Sequence, residues 1–116
     1  MSERILRVNS EIQKAISYII ANEIKNPLIK GLITVTKVDT TADLEQCKIY
    51  LSIFEKETRE EVFNQIKHSA GFIRKELARA VDLRKVPFLT FYLDDSFEYG
   101  SKIDETINRI NEERNN

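Results

Sequence analysis

Residues 58–83 read TREEVFNQIKHSAGFIRKELARAVDL, and this stretch decides how the rest of the chain is organised. Thr58-Arg59-Glu60-Glu61 has the spacing of a capping box, in which the Thr58 hydroxyl bonds the N–H of Glu61 and the Glu61 carboxylate reaches back. From there apolar residues recur at Val62, Phe63, Ile66, Ala70, Ile73, Leu77, Ala80 and Val81, the three- and four-residue steps of one buried helical stripe. The stripe crosses Ser69-Ala70-Gly71 in phase, yet a glycine inside a helix costs about 1 kcal/mol relative to alanine. Three small residues there predict a kink between two helices, or a close approach by another backbone.

Charge singles out the same region. Between Val62 and Leu93 the cations Lys67, Arg74, Lys75, Arg79, Arg84 and Lys85 face only Glu76 and Asp82, while the flanking stretches 39–61 and 94–116 each hold seven acids against three bases. The formal net charge of −1 therefore conceals a segregated chain. Lys67, Gly71, Arg74, Lys75 and Ala78 share one helical stripe, so the bare position sits among cations. A phosphate backbone fits such a surface: room for the sugar, helix N–H groups at the second segment's start, and positive charge on both sides. The plainer reading is a solvated charged face with a glycine that serves packing.

Working outward, Ile5, Val8, Ile12, Ala15, Ile16, Ile19, Ile20 and Ile24 predict an amphipathic first helix from near Ser2 to about Lys25, ended by Asn26-Pro27. Arg4, Arg7 and Lys14 lie off its stripe, where they extend the positive surface or are simply solvated. Ile33-Thr34-Val35-Thr36-Lys37-Val38 reads as a strand, Asp39–Asp43 as a turn, and Cys47, Ile49, Leu51 and Ile53 alternate with Lys48, Tyr50, Ser52 and Phe54 as a half-buried strand. Pro87 blocks helix continuation, so Phe88–Leu93 is a third strand, ended by Asp94-Asp95-Ser96. Ser101 caps a last short helix with Ile103, Ile107 and Ile110 on one face. The sum is an α+β domain with helices on one face of a three-stranded sheet, spanning 1–110 and followed by a frayed polar tail at 111–116.

Composition excludes several classes. At 116 residues, 41% hydrophobic and 32% charged, the chain is one ordinary domain. Cys47 is the only cysteine, which rules out a disulfide framework and suits a reducing compartment; it reads as a small core residue. No signal peptide, membrane-spanning run, repeat or phosphate-cradling glycine loop occurs, so a cytoplasmic protein is expected. His68 is the lone histidine and reads as a polar helix residue beside the kink. Asp94-Asp95 reads as a turn with solvent-facing charge. With no nucleophile and base pair, metal cluster or cofactor fingerprint, an enzyme is not expected, nor a cofactor.

Several short motifs in fixed order carry a resemblance. They are Arg4-x-x-Arg7-Val8, Ile33-Thr34-Val35-Thr36-x-Val38 with Asp43-Leu44, Gly71-Phe72-Ile73-Arg74, Leu83-Arg84-x-Val86-Pro87-x-Leu89-x-Phe91, and Asp95-Ser96-x-x-x-Gly100. From Arg4 to Ile107 the chain resembles the bacterial ribosome-binding factor A family. That resemblance implies a KH-like (type II) RNA-binding domain in which an Ala-x-Gly interruption replaces the GxxG clamp; Ser69-Ala70-Gly71 departs from it by a serine. It further implies a monomeric, non-enzymatic factor that binds the small ribosomal subunit and its ribosomal RNA during late maturation and rRNA processing, with a link to growth in the cold. The long basic tail of some relatives is absent, and the contacts it makes are not expected here. The RNA contacts expected are Lys67, Ser69, Ala70, Gly71, Arg74, Lys75 and Arg79, with Arg84, Lys85, Arg4 and Arg7 around them. The alternative is a protein-interaction module using the sheet edge or the open sheet face that carries Tyr50 and Phe54.

Overall fold

A computed structural model describes residues 2–94. Its elements are α1 (Glu3–Tyr18), β1 (Ile33–Thr40), β2 (Gln46–Ile53), α2 (Arg59–His68), α3 (Ala70–Ala80) and β3 (Phe88–Leu93), with a π-helical turn at Ile19–Glu23 after α1. β2 is the central strand, antiparallel to β1 and parallel to β3. A parallel pair needs a crossover, and α2 with α3 supplies it. The class is α+β with the KH type II order, as expected from the sequence. The expected helix through Ile103, Ile107 and Ile110, the tail 111–116 and the Asp95-Ser96-x-x-x-Gly100 motif lie outside the described residues.

Val35, Val38, Cys47, Ile49, Leu51, Ile53 and Phe91 turn one sheet face toward the helices, where they join Ile5, Val8, Ile12, Ile16, Val62, Ile66, Ile73 and Leu77 in one core. Strict alternation through β1 would put Lys37 on that inner face with Val35. A bulge prevents it: Val35 pairs with Leu51, Lys37 with Tyr50, and the register shifts between them. One extra residue, Thr36, thus turns Lys37 outward and Val38 inward. Two amides of α1 fix that helix to β1. Buried Asn9 Oδ1 accepts the Thr40 N–H at 3.0 Å, and Gln13 Nε2 donates to the Val35 carbonyl at 2.8 Å.

Three local expectations are corrected. The α-helix ends at Tyr18 rather than near Lys25, because the next turn widens until the Ile24 N–H bonds the Ile19 carbonyl, five residues back, and Ile24 itself is extended. Strand β1 continues through Asp39 and Thr40, leaving a tight turn in which buried Leu44 takes φ 61°. There the Asp43 carboxylate, accepting from the Thr41 hydroxyl and the Glu45 N–H, is held below its ordinary pKa. Finally, no capping box forms. Thr58 sits at φ −106°, ψ 2°, outside the extended geometry that aims an N-cap side chain into the helix, and its hydroxyl donates to Glu55 instead. Glu60 and Glu61 still favour that end through the helix dipole.

Cys47 is 1% exposed, its sulfur accepting from the Thr40 hydroxyl at 3.4 Å. Burial pushes its thiol up from 9.0 to about 11, with the Asp39 charge adding to the rise and the Thr40 bond opposing it. Above pH 9 the unfolded chain releases this proton before the folded chain does, so stability falls as pH rises toward 11. Urea midpoints measured from pH 8 to 11 should decline more steeply in the wild type than in Cys47→Ala. Parallel curves would remove the thiol from the account.

Candidate nucleic-acid interface

The elbow between α2 and α3 is one residue wide. Ser69, at φ −91°, ψ 7°, closes α2 with its N–H on the Gln65 and Ile66 carbonyls, and its hydroxyl donates to the Gln65 carbonyl at 2.9 Å. The Ser69 side chain is thus occupied in ending α2. Ser69 is both last cap and first cap: its carbonyl accepts the Ile73 N–H at 2.9 Å, but its side chain does not cap α3. The first turn of α3 therefore keeps donors and a positive dipole end for an outside acceptor.

Ser69 and Ala70 are half-buried and Gly71 is exposed. A Cβ built on Gly71 would meet nothing within 4 Å. Packing in the described chain accordingly does not require this glycine, and the plainer reading of it as a packing residue fails. The open side faces a cleft of about 470 Å3 whose lining includes Gly71, Arg74, Lys75, Ala78 and Lys85. Three cations and a bare helix surface thus come together, one of them brought from the loop before β3.

Arg74 is partly committed. Its Nε and Nη2 donate to the carbonyls of Pro87 and Val86 at 3.0 and 2.8 Å, and its guanidinium lies 4.4 Å from the centre of the Phe88 ring. The arginine thereby fastens the Val86-Pro87-Phe88 entry into β3 onto α3 while its charge remains in the cleft. Lys75 is exposed, and Lys85 Nζ reaches Glu45 at 3.1 Å in an exposed pair that water screens.

The other expected contacts are more dispersed. Lys67 lies over the Phe63 ring at 4.8 Å on α2, and Arg79 pairs with Glu76 at 3.7 Å on a different side of α3. Arg84 is exposed beside Lys85, and Arg4 and Arg7 are exposed on α1; none of the three lines the cleft. On the outer sheet face Tyr50 and Tyr92 stack with centroids 5.3 Å apart, Lys37 Nζ is 5.5 Å from the Tyr50 ring, and Phe54 is 71% exposed. Sequence reasoning missed Phe88 and the two carbonyls that hold Arg74, because the carbonyls lie 12 and 13 residues away from it and the ring one residue further. It also passed over Phe72, whose position off the apolar stripe was the available signal.

Among the described residues no His, Cys, Asp or Glu group could hold a metal ion, and no helix is long and apolar enough to cross a membrane. The family model described as ribosome-binding factor A matches residues 4–107. A ribosome-binding factor A of Clostridium botulinum (strain Loch Maree / Type A3) is 44% identical over 111 residues, covering 95% of this chain and 92% of that relative. The crystal structure of ribosome-binding factor A from Thermus thermophilus shares the fold at TM-score 0.67 with 22% identity, covering 77% of this chain and 94% of that one. A homology model of the Thermus thermophilus factor, fitted into the cryo-EM map of a 30S complex with it, aligns at TM-score 0.63 and 23% identity over 75% of this chain and 91% of its own. A match running through α1, the sheet, the elbow and β3, with 44% of residues shared with a curated relative, is what common descent leaves, and the chain belongs to the ribosome-binding factor A family.

Proposed function

We propose that this chain is a non-enzymatic assembly factor that binds the small ribosomal subunit through its ribosomal RNA during late maturation and rRNA processing, with the need for it greatest in the cold. One observation carries the reading: an elbow that no described residue covers, with open space at Gly71, beside a cleft that gathers Arg74, Lys75 and Lys85. A phosphodiester backbone complements each part, its sugar at the glycine, one phosphate on the α3 N–H groups and its neighbours on the cations. Family membership supports the same partner, since the Thermus thermophilus relative is described in a 30S complex. The mechanism is positional: the chain, acting as a cytoplasmic monomer with 1–110 as one RNA-binding domain, occupies a site on immature RNA, holds neighbouring helices in place and leaves.

The test is to recover the tagged protein from cold-grown cells at low and moderate salt and sequence the RNA that accompanies it. Precursor small-subunit RNA should dominate at low salt and decline as salt rises. Recovery of a protein partner instead, insensitive to salt and lost in Tyr50→Ala, would favour docking on the sheet face that carries the stacked tyrosines.

A further inference from the structure

The elbow has a second side. At 100° per residue, Gly71, Arg74, Lys75 and Ala78 lie along one flank of α3, whereas Phe72, Glu76 and Arg79 lie along another, with Ile73 and Leu77 buried behind both. That second flank borders a cleft of about 530 Å3 between α3 and the end of the π-helical turn, reached directly from Ser69. We propose that this cleft receives one unpaired RNA base, stacked on Phe72, when the backbone of the same strand rests at the elbow. The proposal rests on the RNA-binding reading above and adds to it which part of the nucleotide goes to which side.

Charge makes the division. Among the described residues the first cleft is lined by Arg74, Lys75 and Lys85 and by no acid, the one carboxylate near it being Glu45 on Lys85, so it keeps a net positive charge. The second carries Glu23 and Glu76 as well as Lys25 and Arg79, and Arg79 is already drawn to Glu76. A phosphate gains nothing by entering the second and much by entering the first, whereas an uncharged aromatic base has no such preference. Apolar surface then decides. Phe72 is 42% exposed although it stands in the first turn of a helix whose core residues are Ile73 and Leu77, so its ring does little for the core. Ile24, partly buried against the core, faces it across the cleft. Single-stranded RNA is commonly held by stacking splayed bases on such rings.

The backbone of the opposite wall is shaped for this. The π-helical turn ends where Ile24 becomes extended, and Glu23, Ile24, Lys25 and Asn26 line this side of the cleft. Asn26 is held in a fixed plane, its Oδ1 accepting the Leu28 N–H at 2.9 Å and its Nδ2 donating to Gln65 Oε1 at 2.9 Å. The rim beside it carries acceptors, the Glu23 and Glu76 carboxylates, and donors, Lys25 and Arg79. With both kinds present the rim selects no single base edge, and stacking area on Phe72 favours a purine over a pyrimidine.

Fluorescence anisotropy on the full chain with labelled single-stranded RNA decamers, oligo(A), oligo(C) and oligo(U), tests this. The wild type should prefer oligo(A) to oligo(C) and oligo(U), because the larger ring stacks over more of Phe72. Phe72→Ala should weaken oligo(A) binding about ten-fold and leave the salt slope unchanged, because stacking is lost and no phosphate contact is. Phe72→Tyr should restore binding and Phe72→Leu should not, with thermal unfolding showing all three folded. Wild-type affinity in Phe72→Ala, or full rescue by leucine, overturns the base cleft. If Lys75→Glu with Lys85→Glu still lowers affinity in that case, the elbow reading survives alone; if no decamer and no purified small subunit binds the wild type, both fall.

Discussion

Replacing Lys75 and Lys85 together by glutamate is expected to lower affinity for small-subunit RNA on the order of 100-fold at low salt and to flatten the salt dependence by about 1.4 in log–log slope. The second figure follows from about 0.7 released counterions per phosphate contact on single-stranded nucleic acid, for two contacts. Both side chains are exposed, so neither supports the core. Lys85 lies against Glu45, and reversing it adds a repulsion there as well as toward phosphate, which single reversals of each lysine would separate. Titrations of purified immature subunits at several salt concentrations give affinity and slope together. A variant that keeps the wild-type slope would mean that these lysines meet no phosphate.

The largest effect on the fold itself should come from Arg74. Its charged guanidinium bonds two carbonyls and covers the Phe88 ring. Hydrogen bonds from a charged group contribute about 1.5–3 kcal/mol each before non-additivity, and a cation over an aromatic ring about 0.5–2. Arg74→Ala should therefore cost about 2–3 kcal/mol in urea unfolding, and Arg74→Lys should recover little, since a lysine cannot span two adjacent carbonyls with a planar fork. RNA binding in Arg74→Ala would fall as well, but that loss mixes charge with a loosened β3 entry. Lys75 and Lys85 are the cleaner probes of charge. Unchanged urea midpoints in both Arg74 variants would show that the Val86-Pro87 loop holds its place unaided.

What the sequence disclosed and what it withheld follow from the range of each interaction. The α+β order was legible because helical stripes and strand alternation are set by neighbours within a few positions. The elbow was legible for the same reason: Ser69-Ala70-Gly71 interrupts propensity without breaking phase. The capping box failed although its spacing was right, because capping depends on the dihedrals of Thr58 and those are fixed by the preceding turn. Alternation also missed the bulge at Thr36, which alone decides that Lys37 faces outward beside Tyr50. Long-range partners were beyond reach. Nothing near Lys85 announces Glu45, forty positions away, and nothing near Arg74 announces that its fork closes on a loop. The charge count over 62–93 gathered these cations into one region, yet it could not sort Arg79 onto one flank of α3 and Arg74 onto another.

Gly71→Ala tests the elbow most directly, because it sets stability against binding. The position is helical and open, so an added methyl meets nothing in the described chain and improves helix propensity; urea unfolding should show a gain of up to about 1 kcal/mol. The same methyl would stand where the RNA sugar approaches. Affinity for immature small subunits should then fall about ten-fold, equivalent to roughly 1.4 kcal/mol, with the salt slope unchanged. A more stable variant that binds as tightly as the wild type would contradict the account, since RNA would then not approach at the bare position.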